Sequence, residues 1–336
     1  MTGESPITAN IDLAAGGKQF GRLAVPQSTN SSGWAKYYIP IVSIANGDGP
    51  TALLCGGNHG DEFEGPVTLM NLARCLQPED IQGRIIIVPM LNRPAVLSGT
   101  RLSPVDGCNM NRAFPGSPHD SITGQIAHYV SSTLLPPADL VVDIHSGGSS
   151  TLFLPSVNMH EVADREQMEK MLAAGVAWGA PYVFIYEDVA GSGLLPSLAE
   201  QMGKVTLGTE VGSKAQFGVE TLGITARGVE NVLHGAGILR ARPAPGVVAP
   251  EIVGATEADD YIMAPVSGLL EPLCELGDRV EKGSLIGQIH DLEQIDRAPC
   301  PVVALTSGMV MARRAIPLTA QGEMVATIVR PYALGN

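Results

Sequence analysis

The 336-residue chain carries 34 acidic against 21 basic side chains, a formal charge of −13, and is 45% hydrophobic with 16% charged residues. That composition excludes disorder as the main state and leaves enough chain to bury a sizeable core in one large or two ordinary domains. A net acidic surface argues against non-specific binding to nucleic acid or to an anionic membrane, which needs Lys and Arg to displace counterions. It suits a small-molecule partner.

No segment approaches the ~18 uninterrupted apolar residues of a membrane span. The start, Met1 to Phe20, contains Glu4 and Asp12 and lacks a basic head before an apolar run, so it does not read as a secretory signal. The five cysteines, Cys55, Cys75, Cys108, Cys274 and Cys300, are odd in number and scattered, which fits reduced thiols in a cytoplasmic protein. Aromatics are only 4% while Gly is 39 and Pro 25, so the core must be built from aliphatic residues with many turns between short elements.

Residues 1–46 read as β-rich, with Tyr37–Ser43 as the clearest strand. Residues 47–240 alternate apolar runs with longer helical patterns. The runs are Thr51–Cys55, Arg84–Pro89, Leu140–Ile144, Tyr182–Tyr186 and Val205–Leu207; the helical stretches are Val67–Leu76, Thr123–Leu134, Asp164–Trp178 and Leu194–Met202. Continuously apolar runs suit strands covered on both faces, and their alternation with helices predicts a three-layer α/β domain. Residues 241–250, with three prolines, predict a linker. Short alternating runs between Gly-Asp and Lys-Gly turns predict a small all-β domain over 251–336.

Four segments carry chemistry. The first predicted strand ends in Gly57-Asn-His59-Gly-Asp-Glu62. One helical turn there would put His59 and Glu62 on one face, half of a metal site, although such a pair alone is as readily a surface pair. A second strand ends in Asp143-Ile-His145-Ser, and a histidine leaving so apolar a strand is placed to face a crevice. Parallel strands would gather His59, Glu62 and His145 at one carboxyl edge, where open α/β sheets bind ligands. Two His and one Glu are the protein ligands of catalytic zinc sites with an open fourth position. Thr209-Glu210 closes a third strand, and at that edge Glu210 becomes the general base for the catalytic water. The loop from Arg101 to Gly116 supplies Asn111 and Arg112 for a substrate carboxylate and Arg101 for the developing oxyanion. Structural pairing of either arginine with Asp106 or Asp120 is an equal alternative.

These strings, with Asn109-Met-Asn111-Arg112-Ala-Phe-Pro-Gly116, resemble the succinylglutamate desuccinylase/aspartoacylase family of zinc amidohydrolases across roughly Thr51 to Gly237. The resemblance implies a zinc-carboxypeptidase-like α/β domain with a mixed sheet. It implies one Zn²⁺ per chain on His59, Glu62 and His145, with Glu210 as base and proton shuttle. Asn111 and Arg112 are then the carboxylate binders and Arg101 the carbonyl polariser.

The texture is most similar to the branch that deacetylates N-acetyl-diaminobutyrate in ectoine breakdown. An acidic substrate would need a further cation, for which Arg227 is the nearby candidate, whereas Glu187-Asp188 would suit an ammonium-bearing side chain. The C-terminal domain resembles a biotinyl/lipoyl-like β-sandwich, but Lys282 precedes a strand instead of standing at a hairpin tip. A swinging-arm carrier is therefore not expected; the domain would shield or shape the active site or mediate assembly into a homo-oligomer. The expected partner is a small N-acyl amino acid. Competing readings are a deacylase of an acidic substrate, a carboxypeptidase, and a metal-binding relative without turnover.

Overall fold

A long antiparallel hairpin opens the fold. β1 (Thr8–Ala9) pairs with β2 (Gly17–Thr29), which pairs along its length with β3 (Ser32–Asn46). The end of β3 enters the main sheet beside the strand Gly83–Val88, Val42 opposite Ile87. The computed structural model describes residues 4–187, 193–241 and 249–333. Asp188 and residues 242–248 of the expected linker lie outside the described residues.

The five apolar runs all form strands. In chain order the α/β part contains β4 (Thr51–Gly56), α1 (Glu64–Cys75), β5 (Gly83–Val88), α2 (Arg93–Ser98), α3 (Ile122–Tyr129) and β6 (Leu140–Ile144). There follow β7 (Thr151–Phe153), β8 (Ser156–His160), α4 (Arg165–Trp178), β9 (Tyr182–Tyr186), α5 (Leu195–Gln201), β10 (Val205–Glu210) and α6 (Val219–Gly235). The helix expected over Thr123–Leu134 begins as α3 and widens into a π-turn at Val130–Leu134. There the Ser131 and Ser132 hydroxyls donate to the Ala127 and His128 carbonyls, four residues back.

Alternate residues of the central strands bury on opposite faces, as the period of two requires. Ala52, Leu54, Ile85 and Ile87 pack with Leu69 of α1, Met171 of α4 and Val229 of α6. Leu53, Ile86 and Val141 pack on the other face with Ile126 of α3 and Leu195 and Ala199 of α5. Covering both faces is what lets the strands be apolar throughout.

The order β3-β5-β4-β6-β10-β8-β9 fixes the site. β4, β6 and β10 run parallel, with Cys55 opposite Asp143 and Gly208 opposite Asp143, so their carboxyl ends stand in one row. β8 then runs antiparallel to β10, pairing Ser156 with Glu210 and Asn158 with Gly208. β9 is parallel to β8, with Phe184 opposite Asn158. One sheet face therefore carries Glu210, Gly208, Asn158, Phe184 and Tyr186.

The rest of the chain is built of strands. β11 (Glu251–Ala255) lies parallel to β9 and antiparallel to β19 (Met324–Pro331). β12 (Tyr261–Met263), β14 (Arg279–Val280), β17 (Gly308–Arg314) and β19 continue from it, so the large mixed sheet runs on into the C-terminal region. β13 (Gly268–Pro272), β15 (Leu285–His290), β16 (Cys300–Val303) and β18 (Leu318–Thr319) form a separate four-stranded antiparallel sheet. Ile262, Leu270, Ile286, Ile289, Val302 and Ile328 make the core between them. Among the described residues no helix is long and apolar enough to cross a membrane.

Candidate active site

The loop after β4 is shaped by backbone contacts before any side chain acts. Leu91 N donates to Gly56 O, Asn92 N to Gly57 O and Gly60 N to Thr100 O, at 2.8, 2.8 and 3.0 Å. Gly57 adopts φ +64°, which glycine takes without a Cβ penalty. Gly60 lies so close to the Ala95 backbone that a Cβ would overlap it. The chain thus turns tightly and presents His59 and Glu62 at the head of α1.

His59 and His145 converge on the two oxygens of one buried carboxylate. His59 Nδ1 lies 2.8 Å from Glu62 Oε1, and His145 Nδ1 lies 2.8 Å from Glu62 Oε2. Ligand atoms of the three residues all fall within 4.8 Å of one another, so the group could hold a metal ion. The outer nitrogens strengthen that fit. His59 Nε2 meets Asn109 Oδ1 at 3.1 Å, and His145 Nε2 meets Asp143 Oδ2 at 2.8 Å. With oxygen acceptors at Nε2 to keep the ring protons, both Nδ1 atoms face the Glu62 carboxylate, where a metal ion could take them as ligands in place of a proton. The donor set is that of a divalent cation.

The charges follow from burial and neighbours. Burial would raise the Glu62 carboxyl, but His59 and His145 outweigh it and hold Glu62 well below the usual carboxylate range. The imidazoles move in opposite directions. Burial dominates at His59 and lowers it. At His145 burial is overcome by the Asp143 and Glu62 carboxylates, which hold the ring well above its ordinary value. A metal ion would therefore displace a proton mainly from His145.

Glu210 stands at the end of β10 on the same edge, and its Oε2 is buried without a hydrogen-bond partner among the described residues. Burial, and then the charge of Glu62, push its carboxyl up to about 8. In its ionised form, an orphaned oxygen beside a candidate metal group can take a proton from a bound molecule.

Both arginines reach the same cavity, about 410 Å³ in volume and lined by His59, His145, Glu210, Arg101, Asn111 and Arg112 among others. Arg101 Nη1 approaches His59 Nδ1 at 3.3 Å and Glu62 Oε1 at 3.7 Å. Arg112 Nη1 donates to Asn111 O at 2.6 Å. Asn111 Oδ1 accepts from Leu195 N at 3.0 Å, tying the loop to the start of α5. Asp106, one of the alternative arginine partners, accepts from Thr123 N, Thr123 Oγ1 and Cys108 N. Arg227 is not among the residues lining this cavity.

Sequence reasoning had no role for Asn109, Asp143 or Asn158. Asp143 is two residues before His145 on the same strand face, which is the signal that could have found it. Asn158 faces the cavity from β8 while Ser156 Oγ donates to its Oδ1 at 2.7 Å. The direction of β8 could not be read from its residues. Phe153, Phe184, Tyr186, Tyr261, Met263, Met324 and Thr327 complete much of the wall, several of them from the C-terminal strands.

The profile of the succinylglutamate desuccinylase/aspartoacylase catalytic domain matches residues 48–236. The N-alpha-acetyl-L-2,4-diaminobutyric acid deacetylase of Halomonas elongata is 39% identical over 324 residues, covering 96% of this chain and 95% of its own length. Among solved structures, a succinylglutamate desuccinylase/aspartoacylase from Rhodobacter sphaeroides superposes with a TM-score of 0.93 at 40% identity, over 98% of this chain and 100% of that one. The product-bound ectoine utilization protein EutE (DoeB) from Ruegeria pomeroyi gives 0.92 at 38% identity, over 97% and 99%.

Proposed function

This chain belongs to the succinylglutamate desuccinylase/aspartoacylase family, and on that footing we propose that it is a zinc-dependent deacylase cleaving the amide of a small N-acyl amino acid. Its nearest chemistry among the named relatives is removal of acetate from Nα-acetyl-2,4-diaminobutyrate. The observation that carries the reading is the gathering of His59, His145, Glu210, Arg101 and Arg112 around one cavity, with Glu62 between the two imidazoles.

His59, Glu62 and His145 would hold the ion. A zinc ion there supplies Lewis acidity toward the amide carbonyl and makes water more acidic. Glu210 takes a proton from the attacking water as the new C–O bond forms. It returns that proton to the amide nitrogen as the C–N bond breaks, and the remaining acid proton passes to the released amine, giving a carboxylate and an ammonium. Arg112, steadied through its own loop, pairs with the substrate carboxylate beside the Asn111 amide. Arg101 meets the negative charge that develops on the carbonyl oxygen.

We read residues 1–46 as a β-rich flank, 47–240 as the hydrolase domain and 251–336 as a biotinyl/lipoyl-like cover that closes one side of the cavity. Such a cover excludes long peptides and so disfavours a carboxypeptidase. The test is metal analysis followed by hydrolysis of a panel: Nα-acetyl-2,4-diaminobutyrate, N-acetylaspartate, N-succinylglutamate and a short peptide. Stoichiometric zinc and preferential cleavage of an N-acyl amino acid are expected. Bound zinc with no turnover on any member would leave only a metal-binding relative.

A further inference from the structure

Aromatic residues make up only 4% of the chain, yet Phe153, Phe184, Tyr186 and Tyr261 all line this one cavity. Phe184 and Tyr186 alternate on the same face of β9, their ring centroids 5.6 Å apart. Tyr186 is backed by the buried His160 ring at 4.3 Å, and His160 is held in turn by Glu200 at 2.6 Å. Tyr261 is fixed by its hydroxyl, which donates to Ala255 O at 2.9 Å. Glu187 follows Tyr186 at the rim, where its backbone N donates to the same Ala255 carbonyl at 3.2 Å. Glu187 is exposed, and apart from Glu210 it is the one carboxylate among the described residues lining the cavity.

The cavity is therefore divided by charge. Arg101 stands with the candidate metal group, 3.7 Å from Glu62, whereas the β9 and β12 side is aromatic and ends in a carboxylate. Ring faces carry negative electrostatic potential and attract ammonium groups, and the attraction grows where water is excluded. An aliphatic side chain would gain nothing from Glu187, and an acidic one would be repelled by it.

We propose that this wall is the side-chain subsite of the deacylase, and that it selects a cationic side chain whose ammonium rests on Tyr186 and Tyr261 and pairs with Glu187. The assignment rests on the deacylase reading and adds to it a specificity residue. Glu187 acts on binding and has no part in the bond-breaking step.

The experiment compares wild type with Glu187→Gln on Nα-acetyl-2,4-diaminobutyrate and on its uncharged analogue N-acetyl-2-aminobutyrate, with Nα-acetylornithine and Nα-acetyllysine probing depth. The variant is expected to lose about tenfold or more in kcat/KM on the cationic substrates, mainly through KM. The uncharged substrate should change less than about twofold, because it makes no ionic contact for the variant to lose. Calorimetry with free 2,4-diaminobutyrate against 2-aminobutyrate gives a second readout that needs no turnover. Equal effects on charged and uncharged molecules, or none on either, overturn the subsite. If calorimetry keeps the Glu187-dependent preference while no N-acyl amino acid is hydrolysed, the subsite stands and the deacylase reading falls.

Discussion

Asp143 Oδ2 lies 2.8 Å from His145 Nε2, and the other nitrogen of that ring lies 2.8 Å from Glu62. One imidazole is thus held between two carboxylates, the nearer to the sheet fixing which nitrogen keeps the proton. Asp143 is itself fully buried and accepts from Asn58 Nδ2 at 2.9 Å, so it cannot swing away.

That arrangement makes Asp143 a positioning residue whose loss should register first in metal affinity. Asp143→Asn preserves shape but removes the charge that makes the ring a strong donor. An outer partner of this kind is worth about 10–100-fold in affinity. Competition against a chromogenic chelator should show that loss, and His59→Ala or His145→Ala should abolish stoichiometric binding. Wild-type affinity in Asp143→Asn would remove the pairing from the account. Because His145 is held above its ordinary value, wild-type affinity should also strengthen as pH rises, the ion displacing a proton.

Glu210→Gln should retain metal and lose about 10²–10⁴-fold in rate, the range expected for a positioned acid–base group. The pH dependence has a definite sign. Only ionised Glu210 accepts a proton, so the wild-type rate should climb with pH on its acid limb, and the variant should lack that limb. A bound divalent cation opposes the field of Glu62, so the limb should fall below the value of about 8 that holds for the metal-free site. In the metal-free protein the folded value of about 8 exceeds the ordinary 4.5. The folded state therefore keeps a proton that the unfolded chain releases. The resulting stabilisation is complete below about pH 4.5 and fades as pH rises toward 8. Urea midpoints taken through that window should fall less steeply for Glu210→Gln than for wild type.

How much of this was written in the residues depends on range. The runs at Leu54, Ile86, Val142 and Leu207 declare strands because each is apolar on both faces, and their parallel pairing follows from the helices between them. That local logic is enough to bring the ends of β4, β6 and β10 together. The direction of β8 is different in kind. Ser156–His160 is short and mixed in polarity, and its antiparallel contact with β10 is set by partners distant in sequence. The parallel pairing of β11 with β9 is equally silent, because Glu251–Ala255 follows a proline-rich run that shows where the chain bends but not where it returns. Asn158, Tyr186 and Tyr261 reach the cavity through these pairings together with those of β8 with β9 and β12 with β19, so their roles could not be read from spacing.

Gly60 offers a test of the turn itself. A Cβ there would overlap the backbone carbonyl of Ala95 at the start of α2, and backbone cannot yield as a flexible side chain can. Gly60→Ala should destabilise by about 1–3 kcal/mol or more, as overpacking does. It should also weaken metal binding, because the turn carries His59 and Glu62 on either side. By contrast, a Cβ at Gly99 meets nothing within 4 Å. Its φ of +61° still disfavours alanine, so Gly99→Ala should cost stability without touching metal affinity. Thermal melts paired with chelator competition separate the two effects. Parallel losses of affinity in both variants would mean that the turn holds no special place.

The two arginines should fail differently when removed. Arg112 lies on the loop tied to α5 through Asn111, a fixed platform for a charge already present in the ground state. Arg112→Ala should therefore raise KM by about 10–100-fold, the worth of a charge-assisted hydrogen bond of roughly 1.5–3 kcal/mol. Arg112→Lys should recover only part, since a point charge cannot reproduce two parallel donors. Arg101 sits within 3.7 Å of Glu62, and its side chain is 42% exposed. Charge grows beside it only as the carbonyl is attacked, so Arg101→Ala should lower kcat by about 10-fold or more while KM moves little. Steady-state kinetics on the preferred N-acyl amino acid distinguishes the cases directly. A pure KM effect at Arg101 would place it with Arg112 in holding the substrate, and the carbonyl oxygen would then depend on the metal site alone.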